Sequence, residues 1–290
     1  MHCSDNWTTA IKLIVTCTLL VFGFYYWRCN VTQEPQRYKR QRDEEFTLDF
    51  VPRPPAPHAD CDDLFTSMRS GNKFSMSSRF WSLYPTFLRK LGRIPPVGYS
   101  GTRNTQMMAL HYLAARPSVV NICETGFSFG HSSFSFLTAN SKAIVHSFDI
   151  KKYGKTKIMS DFLLRHFPGR FFIHFGDSMI TLPKFIQENP TFRCDIIFVD
   201  GCHTYAATKS DFENFANISN RSNKDNAIIF DEYPPLLMKA IAMGHVWEHM
   251  RRHHRLVELM RCVYSNPKTI PPSTKTEQYI HGFIIGTFVP

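Results

Sequence analysis

The 290-residue chain has little of several things. It has eight cysteines and no Cys-x-x-Cys pair, which excludes a disulfide-built scaffold and a paired-cysteine zinc site. It has no Gly-x-Gly-x-x-Gly, the turn through which a nicotinamide dinucleotide is held. It has no internal repeat, so it is not a solenoid. Only one long apolar run occurs, which excludes a multi-pass membrane protein. Charged residues are 20% and hydrophobic residues 43%, enough apolar material for a sizeable core and too much for a disordered chain. Positive charge is plentiful: 34 Lys and Arg against 24 Asp and Glu give +10. No aromatic residues interleave with it in the manner of a nucleic-acid surface, so no nucleic-acid partner is expected. Much of it lies late, in Lys239 and in Glu248–Arg261, and reads as a solvated helix face.

The single apolar run spans Ala10 to Trp27 and holds one charge, Lys12, near its end. Extended back to Trp7 it has about 21 residues, enough to cross a hydrocarbon core of about 30 Å. Trp7 at one end and Tyr25, Tyr26 and Trp27 at the other suit the two interfaces. No small-x-small cleavage site follows, so a retained anchor is expected rather than a removed signal. The chain is expected to divide into a tail (1–9), a transmembrane signal-anchor (10–28), a polar Pro-rich stalk (29–60) and one domain (61–290). Residues 61–116 of that domain form a helical cap. Arg28, Arg37, Lys39, Arg40 and Arg42 follow the span, and the positive-inside rule then places the domain in the cytosol. Two glycosylation acceptor motifs, Asn217-Ile-Ser and Asn220-Arg-Ser, point instead to a lumen.

From residue 118 onward short β-branched runs alternate with helical spacing. Strands are expected at 118–124, 143–149, 170–175, 195–200 and 226–231, with later ones at 256–264 and 279–289. Helices are expected at 131–140, 156–167, 181–189, 205–218 and 235–250. In the second helix Ile158, Phe162, Leu163 and Phe167 fall on one side. This alternation predicts an α/β fold, a Rossmann-like, mainly parallel sheet flanked by helices. Such sheets bind ligands beyond the carboxyl ends of their strands.

The residues at those ends are polar. Glu124-Thr-Gly126-Phe-Ser-Phe-Gly130-His-Ser132-Ser133 follows the first strand. Gly126 allows a tight turn, Gly130 allows close packing where a helix starts, and Glu124 is an acceptor aimed into the crevice. Asp149 ends the second strand, where an acid holds ribose hydroxyls. Asp177-Ser178 follows the third strand and reads equally as a helix N-cap. Asp200-Gly-Cys202-His203-Thr-Tyr205 follows the fourth, and Asp231-Glu232-Tyr233 the fifth. Asp200, Asp231 and Glu232 can converge as oxygen ligands for Mg²⁺. Without metal, His203 is the candidate general base. Cys123 and Cys194 read as packed core residues.

In ETGFSFGHSS, DIIFVDGCHTYAATKSDFENF and NAIIFDEYP the chain resembles the class I S-adenosylmethionine-dependent methyltransferases. The likeness is to the small-molecule branch with Asp-Gly-x-His-x-Tyr after the fourth strand (the methyltransferase-24 type). Catechol and caffeoyl-CoA O-methyltransferases are more distant. It covers about Thr102 to Pro290. The resemblance implies that Glu124, Gly126, Gly130 and Ser132 hold the methionine side of S-adenosylmethionine. It gives Asp149 the ribose and Asp177 and Ser178 the adenine side. The catechol-type relatives hold a metal with an Asp-Asn pair after the fifth strand. Here the pair is Asp231-Glu232, which changes charge and reach.

The function expected is a membrane-anchored methyltransferase acting on an oxygen of a small molecule, with Asp200 and His203 catalytic. Two other readings stand beside it. One is a membrane-anchored glycosyltransferase, for which Asp60-Cys-Asp62 offers an Asp-x-Asp triplet, though with no strand before it. The other is a methyltransferase-like domain that binds without turnover.

Overall fold

Strand β4 (Ile196–Val199) is buried along its whole length, and strand β1 (Asn121–Thr125) is buried in four of five positions. Strands this apolar are stable only at the centre of a sheet covered on both faces. The computed structural model describes residues 76–92, 104–231, 238–265 and 280–289. The apolar run at 10–28, the stalk at 29–60, the Asp60–Asp62 triplet and Glu232 lie outside the described residues. Among the described residues no helix is long and apolar enough to cross a membrane.

The remaining strands are β2 (Ile144–Asp149), β3 (Phe171–Phe175), β5 (Ala227–Asp231), β6 (Leu256–Ser265) and β7 (Ile280–Phe288). They form one seven-stranded sheet in the order β3-β2-β1-β4-β5-β7-β6. Neighbours from β3 to β5 pair in parallel, and β7 runs antiparallel to both β5 and β6. The strand order reverses between β1 and β4, so the ligand crevice of such a sheet lies beyond their carboxyl ends.

Side chains alternate across the sheet and build two cores. Ile122, Ile196 and Phe198 face helices α1 (Ser78–Leu91), α2 (Asn104–Ala114), α3 (His131–Ala139) and α4 (Gly154–His166). Phe134 packs there against Phe87 and Phe80 at centroid separations of 4.6 and 5.2 Å, the first pair tilted and the second edge-to-face. Cys123, Ile197 and Val199 face α5 (Ser178–Glu188), α6 (Tyr205–Ile218) and α7 (Met238–Arg252). Trp247 of α7 fills that side against Phe212 and Phe230.

The sequence boundaries hold to within about three residues throughout 118–289, with two corrections inside them. On α4, Ile158 is 44% exposed, and Met159 takes its place in the core beside Phe162 and Leu163. The second is an addition: Cys123 and Cys194 are packed in the core, and they are also joined by a disulfide with a Cα–Cα separation of 5.9 Å. The late basic segment is partly neutralised within the fold. Arg261 donates to Glu248 and Glu258, and Arg251 donates to Glu248. Arg252, His253, His254 and Arg255 remain exposed.

The amino ends of the central strands are tied together by one carboxylate. Asp195 Oδ2 accepts the backbone amides of Val120 and Asn121 at 2.8 and 2.9 Å. Its Oδ1 accepts Nδ2 of Asn220 and of Asn223 at 2.6 and 2.7 Å. With Asp195 buried, removing it strands four donors that water reaches poorly. Asp195→Ala is expected to lower unfolding free energy by about 4 kcal/mol. Urea denaturation followed by tryptophan fluorescence measures it.

Candidate active site

The chain leaves β1 at Thr125 and turns at once. Gly126 has φ +93°, and its amide donates to the Phe148 carbonyl of β2 at 2.9 Å. A Cβ placed on Gly126 would lie 1.9 Å from the carbonyl oxygen of Asp200. The turn after β1 and the exit from β4 are therefore in backbone contact, a distance that only glycine permits. Gly130 has φ +77°, and an added Cβ would strike the Phe127 ring at 2.6 Å. Between them Ser128, also left-handed at φ +50°, points its amide at Asp149 Oδ2 at 2.8 Å.

Asp149 closes the second side. It is 9% exposed, and besides Ser128 it accepts the Lys151 amide. Burial pushes its carboxyl above the usual range, and the backbone amides of Ser128, Lys151 and Phe127 oppose that shift. The carboxylate thus braces the turn as it faces the crevice end of β2.

Glu124 departs from expectation. It has zero exposure, so it is not open to the crevice. Ser133 Oγ of α3 donates to its Oε1, and the hydroxyls of Ser132 and Ser147 lie beside it. Its Oε2 makes no hydrogen bond. Burial raises its pKa, the serine hydroxyls lower it, and the neighbouring Asp149 charge raises it again. Ser132 is likewise buried, beside Glu124. Ser133, which the sequence reading quoted without a role, makes the direct bond.

Beneath the exit of β4 lies a second buried acid. Asp211 of α6 is 1% exposed, and neither carboxylate oxygen has a hydrogen bond of good geometry. A Cβ on Gly201 would meet Asp211 Oδ2 at 3.3 Å and Thr125 Oγ1 at 3.1 Å. Burial pushes the Asp211 carboxyl up to about 7; the nearby hydroxyls of Ser178 and Thr125 pull it down, and Asp177 pushes it up. Sequence reasoning missed Asp211. Its signal was an acid placed among Ala207, Thr208, Phe212 and Phe215 on the buried face of α6.

The other predicted residues divide. Asp177 is exposed and caps α5, accepting the Met179 amide at 2.9 Å. Ser178 is half-buried beside Asp211. Asp200 and His203 stand together, with His203 Nε2 3.6 Å from Asp200 Oδ1 and both side chains 20% exposed. Asp231 is 1% exposed and accepts Gln106 Nε2 of α2 at 2.6 Å. Among the described residues no three His, Cys, Asp or Glu side chains could hold a metal ion. The structure thus gathers Glu124, Gly126, Asp149, Asp200 and His203 around the β1–β4 switch point, and it engages Asp231 with α2.

An acceptor-rich crevice with this sheet order invites comparison with known proteins. Residues 123–233 match the family model described as a methyltransferase domain. No curated protein sequence matches the chain. Among solved structures, cofactor-bound Rv0187 from MTB is 16% identical with a TM-score of 0.53, covering 81% of this chain and 98% of that one. The O-methyltransferase TomG from Streptomyces achromogenes, in complex with SAM, is 15% identical with a TM-score of 0.50, covering 79% and 96%. SAH-bound methyltransferase PaMTH1 from Podospora anserina is 13% identical with a TM-score of 0.51, covering 82% and 98%. At these identities the likeness establishes the fold.

Two outcomes follow from the geometry. Gly126→Ala meets both a positive φ and a backbone clash, so it is expected to destabilise the domain by about 3 kcal/mol or more in a thermal melt. Asp211 has a folded pKa above its unfolded one, so the folded state binds the extra proton. Its ionisation therefore erodes stability as pH rises from about 4 to about 7. Asp211→Asn is expected to stabilise by on the order of 2–4 kcal/mol at pH 8, shrinking towards pH 4, when urea midpoints are compared across pH.

Proposed function

We propose, on the premise that this chain carries a class I S-adenosylmethionine-dependent methyltransferase domain, that it transfers a methyl group to an oxygen of a small-molecule acceptor. The apolar segment at 10–28 anchors that domain to a membrane. The observation that carries the reading is the set of three carboxylates, Glu124, Asp149 and Asp200, around one glycine turn at the switch point. S-adenosylmethionine presents an ammonium, a sulfonium and two ribose hydroxyls, and needs acceptors and negative charge. The residues present fit those needs. TomG, PaMTH1 and Rv0187 share the fold and are described with SAM, SAH or a cofactor bound, which supports the same ligand here.

The bound cofactor supplies a methyl group already activated on a sulfonium cation. The chain's own tasks are then to bind, orient and remove one proton. The 126–130 turn lines the crevice without side chains at Gly126 and Gly130. Asp149 accepts from ribose hydroxyls with the lone pairs left over from Ser128 and Lys151. Glu124 acts from beneath the turn by its field, which low polarity around it strengthens. On the adenine side stand Asp177 and Ser178.

His203 takes the acceptor's proton. Asp200 Oδ1 stands 3.6 Å from His203 Nε2, close enough for its charge to stabilise the imidazolium that forms. The described residues do not assemble the ligand set for Mg²⁺, and no step is assigned to a metal. Asp231 accepts a hydrogen bond from Gln106 and so ties α2 to the end of β5.

Calorimetric titration of the full-length protein with S-adenosylhomocysteine, with and without Mg²⁺, tests the binding half. Micromolar binding is expected, weakened about 10- to 100-fold in Asp149→Ala by loss of hydrogen bonds to a charged acceptor. His203→Ala is expected to keep that affinity and to lower kcat by about 10²–10⁴-fold in a screen of hydroxylated acceptors. Binding without turnover on any acceptor would favour a non-catalytic domain. No binding by folded protein would remove the reading.

A further inference from the structure

At the end of the sheet opposite the crevice, two kinds of covalent chemistry converge. Cys123 in β1 and Cys194 at the entry to β4 form a disulfide, and both have zero exposure. Cys262 in β6 is also disulfide-bonded. Cytosolic proteins rarely carry buried structural disulfides, because thiols there are kept reduced during folding. A bond with no solvent access is not a switch that reductants reach in the folded protein. It forms as the chain folds, where an oxidant is present.

The same corner holds the acceptor motifs at Asn217 and Asn220; the chain's other two, Asn6-Trp-Thr and Asn30-Val-Thr, flank the apolar run. Residues 218–220 run alongside Cys194: its amide donates to the Ile218 carbonyl at 2.7 Å, and its carbonyl accepts the Asn220 amide at 2.8 Å. The structure separates the two asparagines. Asn217, at the end of α6, is exposed. Asn220 is half-buried and its Nδ2 donates to Asp195 Oδ1 at 2.6 Å, so a sugar there would sit against the strand entry. Ser219, the hydroxyl residue of the first motif, is 6% exposed and donates to Asn226 Oδ1. Attachment at Asn217 therefore precedes folding, as it does on a chain still being delivered into a lumen. The 14 residues of α6 place Asn217 about 20 Å along the helix from Tyr205 at the crevice end. A glycan there leaves the crevice open.

We propose that this domain matures in an oxidising secretory compartment, where Cys123 and Cys194 are joined and Asn217 receives an N-linked glycan. In the first step two thiols lose two protons and two electrons, the S–S bond forms, and the disulfide of a dithiol oxidoreductase is reduced. In the second, Asn217 Nδ2 forms a bond to the anomeric carbon of a lipid-pyrophosphate-linked oligosaccharide. The sugar–phosphate C–O bond breaks, the lipid pyrophosphate leaves, and the amide gives up one proton. The basic residues after the apolar run favour the opposite orientation. That rule is a bias on insertion, whereas a buried disulfide records the medium in which the chain folded.

The test is expression of the full chain in animal cells, followed by two readouts. Treatment with a peptide N-glycosidase is expected to increase gel mobility by one glycan, a shift lost in Asn217→Gln and kept in both Asn220→Gln and Asn30→Gln. Alkylation in denaturant without reductant, followed by peptide mass mapping, is expected to recover Cys123 and Cys194 as one linked pair. Two alkylated thiols with no glycosidase shift would overturn the compartment. A shift that survives Asn217→Gln, or a linked pair with no shift, would overturn the modification site. Asn217→Gln changes an exposed side chain, so its folding is checked by an unchanged thermal midpoint of the enzymatically deglycosylated proteins.

Discussion

The approach of Gly126 to the Asp200 carbonyl is the constraint around which the site is arranged. The two strands at the switch point end within van der Waals reach of each other, and no side chain fits between them. That contact folds the turn back over β2, where Gly126 donates to Phe148 and Ser128 to Asp149. It also sets where α3 begins, because Gly130 must pass beside Phe127. A displaced backbone at this point would move the Asp149 brace and the Asp200–His203 pair together.

Around that contact the protein buries two carboxyl groups that water would stabilise better. Glu124 and Asp211 both have pKa values raised by burial, and each faces hydroxyls rather than cations. In a purely structural core such groups would be costly, since neither has a full set of donors. When ionised, under the turn after β1 and under the exit from β4, they place negative field at the mouth of the sheet. A cationic ligand would offset that cost. Local instability at a binding site is the expected companion of such an arrangement. The amino ends of the same strands show the contrast: Asp195 is equally buried but has four donors, and there it acts as a clamp.

The fold from 118 onward was legible because β-branched runs and amphipathic helices alternate without ambiguity, and β1, β2, β4 and β5 each carry an acid at or just past their carboxyl end. Gly126, Gly130, Asp149, Asp200 and His203 were legible for the same reason, since strand ends define the crevice. Orientation was not. Glu124 follows two buried residues in β1, Ile122 and Cys123, and its side chain continues that burial rather than turning outward. Whether it did so depended on Ser133, a partner nine residues on. Asp211 was hidden because an acid on a helix reads as solvent-facing until the helix is docked. The bond between Asp231 and Gln106 was hidden too, because it depends on how α2 packs against the end of β5. The disulfide joins residues 71 apart, a separation over which spacing carries no information.

The central claim is that one ligand bridges the turn after β1, the end of β2 and the exit from β4. Amide hydrogen exchange of the full-length protein, with and without S-adenosylhomocysteine, tests it directly. The account expects slowed exchange in peptides covering 126–130, 149–151 and 200–203, with the far edge at β6 unchanged. Protection confined to other segments, or none at saturating ligand, would contradict it.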